Sequence, residues 1–300
     1  MNHAELRPVA FGIAYRMLGS VSEAEDAVQE AFLRLHGATA DGQRIESPRA
    51  YLATVVTRLC IDQLRSARAR RERYVGEWLP EPLVGAEDAD PAGHAEMADS
   101  LSVAFLLLLE RLSPEQRAAF LLREVFDYPY GEVARIVGTS EANARQLVSR
   151  ARRQIESGRP RFEPSPELRD ELARRFLAAV EEGDLGGLED LLAEDVVLHG
   201  DGGGKVPALA RPVSGRPRVA RTLLAWARAA DRIGGATIQP ALVNGQPGAI
   251  SRDAEGRLLN VFALEVAGGR IQGISSVVNP DKLGHLGPVA DYTEQLKRRR

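Results

Sequence analysis

Arginine side chains in two clusters are the groups of this chain best suited to binding a polyanion. Of the 39 basic residues in the 300-residue sequence, only Lys205, Lys282 and Lys297 are lysine. One arginine cluster lies at residues 58–73 and the other at 145–161. The planar guanidinium group binds phosphate oxygens and base edges, although a GC-rich genome produces the same bias. Whether the two clusters bind nucleic acid must therefore be judged from the secondary-structure elements that carry them.

Two other groups of residues suggest chemistry in the C-terminal half. Residues 200–205 resemble a phosphate-binding loop, but the spacing is one residue short, and Val206 stands where a Ser or Thr would hold Mg²⁺. This excludes nucleotide hydrolysis. His199, Asp201 and Glu265 could supply an acid and a base for proton transfer. Because one fold can host many functions, these residues alone do not predict an enzyme, and we expect no catalytic activity.

The single cysteine limits metal and redox chemistry. Cys60 has no second cysteine with which to form a disulfide within the chain or a Cys-rich zinc site. It lies in an apolar helical pattern, where a cysteine is typically a small core residue. We therefore predict no metal, no other cofactor and no catalytic thiol.

Length and composition indicate a folded, water-soluble chain. Three hundred residues correspond to about two domains, and the apolar and charged shares are 44% and 27%. The longest apolar run, Val103–Leu109, is much shorter than the roughly 20 residues of a transmembrane helix. Glu5, Arg7 and Arg16 interrupt any apolar segment of a signal peptide. We expect a cytoplasmic protein that does not bind membranes.

Composition also divides the chain into three folded parts. Residues 76–99 contain seven acidic side chains and no Lys or Arg, with three prolines, which is typical of a linker. A second proline-containing break separates residues with different patterns further on. We predict domains at residues 1–73, 100–157 and 167–283, linkers at 74–99 and 158–166, and a tail at 284–300.

The first predicted domain has a helical pattern throughout. Ser22 and Glu25 have the spacing of a capping box, and apolar residues then recur at helical spacing. Opposite this apolar stripe, Glu23, Asp26 and Glu30 form an acidic face. Such a face is either a surface that binds a partner or an ordinary solvated surface.

A later helix of this domain carries the first arginine cluster. Ser47 is its predicted N-cap and Pro48 its first residue. The helix begins apolar and ends in arginines, so a basic end would project from a packed body. Backbone phosphates are the natural counterpart of such an end. A solvated basic end stabilised by the helix dipole explains this segment equally well.

The clearest local motif lies in residues 113–155. Ser113 begins a capping box, a short helix then stops at Gly138, and Ser140 caps a second helix. Small and branched apolar residues on the facing sides predict a helix-turn-helix. An ordinary helical hairpin is the alternative, but the side chains outside the apolar stripe favour DNA binding. These side chains are Asn143, Arg145, Gln146, Ser149 and Arg150.

Three stretches, at residues 26–32, 58–72 and 112–155, occur in this order on predicted helices. Together they resemble the extracytoplasmic-function sigma factors of bacterial RNA polymerase. The first is similar to the region 2 helix that docks on the clamp of the polymerase β′ subunit. The second is similar to the helix that opens and reads the minus-ten promoter element. The third resembles region 4, which reads the minus-thirty-five element and is expected to bind the polymerase β flap.

The resemblance implies a role for each matching residue. The residues that would bind polymerase are Glu23, Asp26, Gln29 and Glu30. Those that would contact the minus-ten element are Arg58, Asp62, Arg65, Arg68, Arg70 and Arg71. Those that would contact the minus-thirty-five element are Asn143, Arg145, Gln146, Ser149, Arg150 and Arg153.

The C-terminal part predicts an α+β domain, so the expected fold is multidomain, with two all-α domains before it. Two helices lead into strand-like runs with one further helix among them, and Gly268 and Gly269 suit a hairpin turn. We expect an antiparallel sheet curved into a cone around a pocket. Residues 175–184 resemble the start of SnoaL-like domains. A subgroup of these sigma factors has such an extension.

Three sequence stretches found in that subgroup occur here, at residues 74–82, 201–205 and 279–283. The resemblance implies that the extension regulates the sigma domains of the same chain. In the acidic linker, the apolar residues Trp78, Leu79 and Pro80 need a docking surface. The candidate surface comprises Asp201, Gly202, Gly203, Gly204, Lys205, Asn279, Pro280, Asp281, Lys282 and Leu283.

Two functions of different class follow from these patterns. The first is a sigma factor that binds core RNA polymerase, directs promoter-specific initiation and is modulated by its fused domain. The second is a helix-turn-helix regulator fused to a small-molecule-sensing or isomerase-like domain. A plain regulator needs neither the acidic face nor a second arginine-rich helix, so residues 1–73 favour the first function.

Overall fold

The structure, a computed structural model, describes residues 3–71, 74–85, 100–156, 165–232 and 235–291. The chain divides into two compact units. The first combines residues 1–73 with 105–159, and the second combines residues 74–104 with 160–300. The two predicted helical domains therefore share the first unit. The described part of the predicted acidic linker belongs to the second.

The described part of the first unit is helical. Its N-terminal helices are α1 (His3–Leu18), α2 (Val21–Ala40) and α3 (Pro48–Arg71). After α4 (Val103–Leu109) come α5 (Pro114–Phe120), a π-helical turn (Leu121–Val125), α6 (Tyr130–Val137) and α7 (Glu141–Glu156). The predicted helix-turn-helix corresponds to α6 and α7.

Capping residues set the boundaries of these helices. Ser20, and not Ser22, caps α2, because Ser20 has extended backbone and its Oγ accepts a hydrogen bond from the Glu23 amide at 3.1 Å. The capping box predicted at Ser22 is therefore wrong, and the N-cap lies two residues earlier. The box at Ser113 is present. Gly138 ends α6 with a φ of 80°, a left-handed conformation that glycine adopts without steric penalty.

A buried arginine joins the two halves of the first unit. Arg117 of α5 donates hydrogen bonds to the carbonyls of Leu109 at 2.9 Å and of Met17 in α1 at 2.6 Å. It also forms an ion pair with Glu110 at 2.8 Å. Burial lowers the pKa of Arg117 to about 9, so the guanidinium stays charged at neutral pH. A buried charge is tolerated only with such partners, which makes this contact specific to the packed arrangement.

The second unit has the predicted α+β composition. Its helices are α8 (Pro166–Glu182), α9 (Leu185–Leu191), α10 (Arg216–Arg232) and α11 (Pro280–Leu283), followed by a 3₁₀ turn (Gly284–Leu286). Its strands are β1 (Val84–Gly85), β2 (Leu192–Asp201), β3 (Val213–Ser214), β4 (Thr237–Val243), β5 (Gln246–Arg252), β6 (Leu258–Ala267) and β7 (Arg270–Val277). They form one sheet in the order β1-β4-β5-β6-β7-β2-β3.

The sheet is mixed, whereas the sequence predicted an antiparallel one. Strands β4 to β7 pair as consecutive antiparallel hairpins, and the last turn has Gly268 and Gly269 at φ values of 59° and 72°. Strand β2, however, pairs with β7 in parallel. Parallel neighbours require a long connection, which α10 and the hairpins between β2 and β7 provide. Strand spacing in the sequence does not report this direction.

Strand β1 is a further difference, since the sequence predicted only linker there. Val84 pairs with Val243 and Gly85 with Leu242, which extends the edge of the sheet at β4. An edge strand offers unpaired backbone groups, and a short segment of any composition can satisfy them.

The core of the second unit lies between the sheet and its helices. It includes Phe176 of α8, Leu188 of α9, Leu223 of α10 and Ile274 of β7. Within the part of the chain that the structure describes, no helix is both long enough and apolar enough to cross a membrane.

Candidate functional site

The predicted acidic face of α2 is a mixed acidic and apolar surface. Asp26, Gln29 and Leu33 are exposed and recur at helical spacing, so they lie on one side of the helix. Glu23 and Glu30 are partly buried beside them. Leu33 is 59% exposed, although large apolar side chains are usually covered. Leu33 was not predicted from the sequence, although its spacing of seven residues from Asp26 places it on the same side of the helix.

Arg58 of α3 contacts the helix-turn-helix within the first unit. Its guanidinium donates hydrogen bonds to the carbonyl oxygens of Ile136 at 3.1 Å and Arg135 at 2.9 Å. These carbonyls lie in the last turn of α6, where a cation is favourable because of the helix dipole. The side chain predicted to contact the minus-ten element is thus bonded to protein here.

Arg65 makes a second contact between the same two predicted domains. It pairs with Glu115 of α5 at 2.8 Å and with Asp62 of its own helix at 3.3 Å. Burial alone raises the pKa of Glu115, but bonds from its own backbone amide, from Arg65 and from Ser113 lower that pKa overall. The side chains of three further predicted contacts, Arg68, Arg70 and Arg71, lie outside the described residues.

The outer face of α7 presents all of the residues predicted to contact the minus-thirty-five element. Exposed on this face are Asn143, Arg145, Gln146, Ser149, Arg150 and Arg153, while Ala144 and Val148 are buried. Among the described residues, Gln146 and Arg150 have no hydrogen-bond or ion-pair partner. Gln146 and Arg150 are therefore the predicted contact residues whose side chains are most available to bind a ligand on this face of α7.

Other predicted residues of α7 are held by protein contacts. Arg145 pairs with Glu141 at 2.5 Å, and its guanidinium lies 4.4 Å from the centroid of the Tyr130 ring. Asn143 donates to the Thr139 hydroxyl at 2.7 Å. Arg153 bonds to Ser149 with distances of 3.4 Å.

Residues 74–85, which we call the docked segment, bind to the rest of the second unit through a buried ion pair. Asp201 at the end of β2 is fully buried, and its Oδ2 lies 2.7 Å from Lys282 Nζ. The Leu79 amide donates to the same Oδ2 at 2.9 Å, and Lys282 donates to the Leu79 carbonyl. Both backbone groups of Leu79 are thereby satisfied, and its side chain is fully buried.

Two aromatic rings complete the environment of Lys282. The ammonium lies 4.9 Å from the centroid of the Tyr74 ring and 4.3 Å from that of Trp78, which are cation–π distances. Tyr74 donates its hydroxyl to Asp201 at 2.6 Å and accepts from Asn279 at 2.8 Å. Burial, and then the bond to Asp201, raises the pKa of Tyr74 above its ordinary value.

The predicted glycines allow the close approach of this segment. A Cβ at Gly203 would lie 2.3 Å from the Asn279 side chain, and one at Gly204 would lie 2.9 Å from Val75. Both glycines have positive φ, and Gly203 donates its amide to Asp201 at 3.0 Å. Larger residues would therefore be excluded for steric and conformational reasons.

The remaining predicted residues of the surface have local roles. Asn279 caps α11 by accepting from the Asp281 amide at 3.1 Å, and Pro280 is the first residue of that helix. Leu283 is buried. Lys205 forms an exposed ion pair with Asp281 at 2.7 Å.

Two residues that contact the docked segment, Asn244 and His285, were not predicted from the sequence. Asn244 accepts from the Leu83 amide at 3.0 Å through its side chain, and its own amide donates to the Leu83 carbonyl at 2.7 Å. His285 bonds to the Pro82 carbonyl at 2.9 Å. The chain separations exceed 100 residues, so no local pattern in the sequence indicates these contacts.

Each of the candidate acid–base residues His199, Asp201 and Glu265 interacts with another group of the protein. His199 Nδ1 lies 2.7 Å from Glu77 Oε1, and Asp201 holds the docked segment. Burial raises the pKa of Glu265, while His199 opposes this increase. Within the described ranges, no group of three or more His, Cys, Asp or Glu side chains is placed to hold a metal ion. Burial also raises the pKa of the Cys60 thiol, as expected for a core residue.

Comparison with known proteins identifies the three parts. Residues 3–70 match Sigma-70 region 2, residues 102–155 match Sigma-70, region 4, and residues 173–277 match a SnoaL-like domain. The chain is 42% identical to the ECF RNA polymerase sigma factor SigJ of Mycobacterium tuberculosis, over 92% of this chain and 90% of that protein. The chain belongs to the ECF sigma factors.

A second relative agrees with this family assignment. The present chain is 35% identical to the probable ECF RNA polymerase sigma factor SigI of M. tuberculosis, with 91% of each chain covered. The crystal structure of M. tuberculosis SigJ superposes with a TM-score of 0.76 at 38% identity, covering 95% of this chain and 98% of that chain. The sigma factor directs transcription initiation with RNA polymerase. A plain helix-turn-helix regulator contains no region 2. The alternative function, a helix-turn-helix regulator fused to a sensing or isomerase-like domain, is therefore wrong.

Proposed function

We propose that the fused SnoaL-like domain regulates this sigma factor by holding and releasing the docked segment. The observation that carries the proposal is the buried Asp201–Lys282 pair, which binds both backbone groups of Leu79. A pair that is buried and fully bonded defines one geometry for the segment. An exposed ion pair such as Lys205–Asp281 would not do so.

The position of the segment in the chain explains how holding it could affect promoter binding. The segment begins three residues after the end of α3 at Arg71, and α3 carries the predicted minus-ten contacts. Whatever holds Tyr74 therefore restricts the chain that leaves α3. Covalent connection keeps the SnoaL-like domain at high effective concentration, so even a weak contact would be well populated.

We further propose that α2 binds the clamp of the polymerase β′ subunit and that region 4 binds the β flap. Support for the first contact comes from the exposed Asp26, Gln29 and Leu33 on one side of α2. An apolar residue within a polar rim is typical of a protein interface. The β flap contact rests on the family resemblance alone.

For promoter DNA, we propose that α3 contacts the minus-ten element and α7 the minus-thirty-five element. Exposed Gln146 and Arg150 support the second contact. For the first, Arg58 and Arg65 would have to exchange their bonds to region 4 for bonds to DNA. The packed first unit is therefore a state from which regions 2 and 4 separate when the promoter is bound.

We also propose that the chain has no catalytic activity and acts in the cytoplasm, where core polymerase transcribes. In support of the first point, the residues considered for proton transfer bind or face other protein groups. His199 bonds to Glu77, and Asp201 bonds to Lys282 and Leu79.

Two truncations test the regulatory proposal. Transcription by core polymerase is measured with the full chain, with a chain ending after Gly158, and with a chain ending before Asn279. Truncation after Gly158 removes every contact by which the domain could raise or lower transcription. Truncation before Asn279 removes Asn279 and Lys282 but leaves the sheet. We expect the two truncations to change the transcription rate differently. Equal rates for all three chains would contradict regulation by the domain.

A further inference from the structure

The second unit contains a cavity that the proposed regulation does not use. It has a volume of about 320 Å³ and lies between α8, α10 and the sheet, with Phe176 and Trp226 among its walls. Small-molecule sites occupy roughly 300–1,000 Å³, so this volume is at the small end of that range. The cavity is therefore large enough for a compact organic molecule.

The walls of the cavity are mostly apolar and carry no formal charge. Leu223, Ile238, Phe262 and Ile274 contribute, and none of the described residues that line it is Asp, Glu, Lys, Arg or His. A charged ligand would lose its hydration without gaining a partner, which is strongly unfavourable. The lining thus selects against carboxylates, phosphates and amines.

Three neutral polar side chains meet at one side of this cavity. Ser251, Asn260 and Ser276 all line it, and Ser251 lies opposite Asn260 in the β5–β6 ladder. Ser276 Oγ donates to Asn260 Oδ1 at 3.1 Å. No described residue accepts a hydrogen bond from Asn260 Nδ2. The cluster therefore offers an amide donor to whatever occupies the cavity.

Strand register separates this cluster from the acid–base residues. Gly200, Ser276 and Phe262 are aligned across β2, β7 and β6, and all three line the cavity. His199 and Glu265 occupy alternate positions on β2 and β6, and consecutive residues of a strand point to opposite faces. Neither residue lines the cavity. The arrangement suits binding rather than proton transfer.

We propose that this cavity binds a neutral, mostly apolar small molecule whose carbonyl or hydroxyl oxygen accepts a hydrogen bond from Asn260 Nδ2. This inference does not depend on the proposed regulation. It nevertheless has a consequence for it, because Gly200 and Val278 line the cavity while their neighbours Asp201 and Asn279 hold the docked segment. A ligand in the cavity would therefore contact residues next to those that position the docked segment.

Calorimetric titration of the full chain with 2-nonanone and nonanoate tests the proposal. Both probes have a nine-carbon chain, but the ketone is neutral and the carboxylate is charged. We expect saturable 1:1 binding of the ketone and at least about tenfold weaker binding of nonanoate. Absence of ketone binding up to its solubility limit, or equal binding of both probes, would overturn the proposal.

Variants of the lining locate the site. Asn260→Leu should weaken ketone binding about tenfold, because the donor is lost at nearly constant side-chain volume. Ala227→Phe should abolish binding by filling the cavity, whereas Ala225→Phe, at an exposed position of the same helix, should leave it unchanged. Thermal melting checks that each variant is folded. Unaltered binding in both Asn260→Leu and Ala227→Phe would place the ketone elsewhere and contradict the assignment.

Discussion

Lys282 Nζ lies 2.7 Å from Asp201 Oδ2, and both side chains are almost completely inaccessible to solvent. The pair connects the end of β2 with α11, and its two members also bond to Leu79 of the docked segment. Each charge compensates the other, because water cannot reach either of them. The stability of the second unit and the position of the segment therefore depend on the same pair.

Replacing Lys282 with Met should destabilise the second unit. The substitution leaves Asp201 buried without its cation, which typically costs about 3–5 kcal/mol. Urea unfolding followed by circular dichroism measures this change in the free energy of unfolding. Lys205→Met is the matched control, since Lys205 is exposed and its pair with Asp281 should contribute about 1 kcal/mol or less. Similar losses in the two variants would show that the buried pair has no special role.

Docking of the segment should weaken in alkaline solution because of Tyr74. Its pKa in the docked state is raised by burial and by the bond to Asp201. A phenolate therefore forms more easily when the segment is free, so docking is unaffected below the ordinary tyrosine pKa of about 10 and weakens above it. In a Trp226→Phe chain, Trp78 emission reports docking. The change in Trp78 emission at alkaline pH should be smaller when Tyr74→Phe is added. An equally large change in that variant would rule out Tyr74 as its cause.

Changes to the exposed face of α2 should weaken binding to core polymerase. Asp26→Arg reverses a charge and Leu33→Asp removes an exposed apolar contact, and we expect each to reduce affinity about tenfold, or ~1.4 kcal/mol. Fluorescence anisotropy of a labelled chain with core polymerase measures this affinity. Asp195→Arg makes the same charge change at an exposed position of β2 and should have no effect. If both α2 variants bind like the unmodified chain, α2 is not the docking helix.

Gln146 of α7 should contribute to recognition of the minus-thirty-five element. Its side chain has no partner among the described residues, so Gln146→Ala should lose about 1–3 kcal/mol and relax preference at one base pair. Binding to a set of single-base-pair promoter variants measures both effects. Arg152→Ala is the comparison, because Arg152 is paired with Glu124 at 2.8 Å. A loss that is uniform over all sequences would assign Gln146 to the phosphate backbone instead.

Local sequence signals predicted the helical parts well, whereas contacts between distant residues required the structure. Ser113, Gly138 and Ser140 act within a few residues of themselves, so the helix-turn-helix could be located from sequence. The bond from Arg58 to Ile136 spans 78 residues. No pattern near Arg58 distinguishes an arginine that caps a remote helix from one that is free to bind DNA.

The candidate docking surface shows the same division. The resemblance to a family pointed to Asp201 and Lys282, but not to the way in which they share Leu79. Asn244 and His285 could not be predicted because the groups that they bind in the docked segment are backbone groups, which leave no side-chain pattern in the sequence. The parallel pairing of β2 with β7 was likewise hidden, since strand direction depends on the whole chain path.

Transcription in vitro measures both the sigma activity of the chain and its dependence on the docked segment. Core polymerase is combined with the unmodified chain, Lys282→Met or Lys205→Met on a promoter selected from a random library with the unmodified holoenzyme. We expect promoter-specific transcripts with the unmodified chain, an unchanged rate with Lys205→Met, and a rate altered several-fold with Lys282→Met. No promoter-specific transcript would contradict the sigma function, and identical rates for all three chains would contradict regulation through the docked segment.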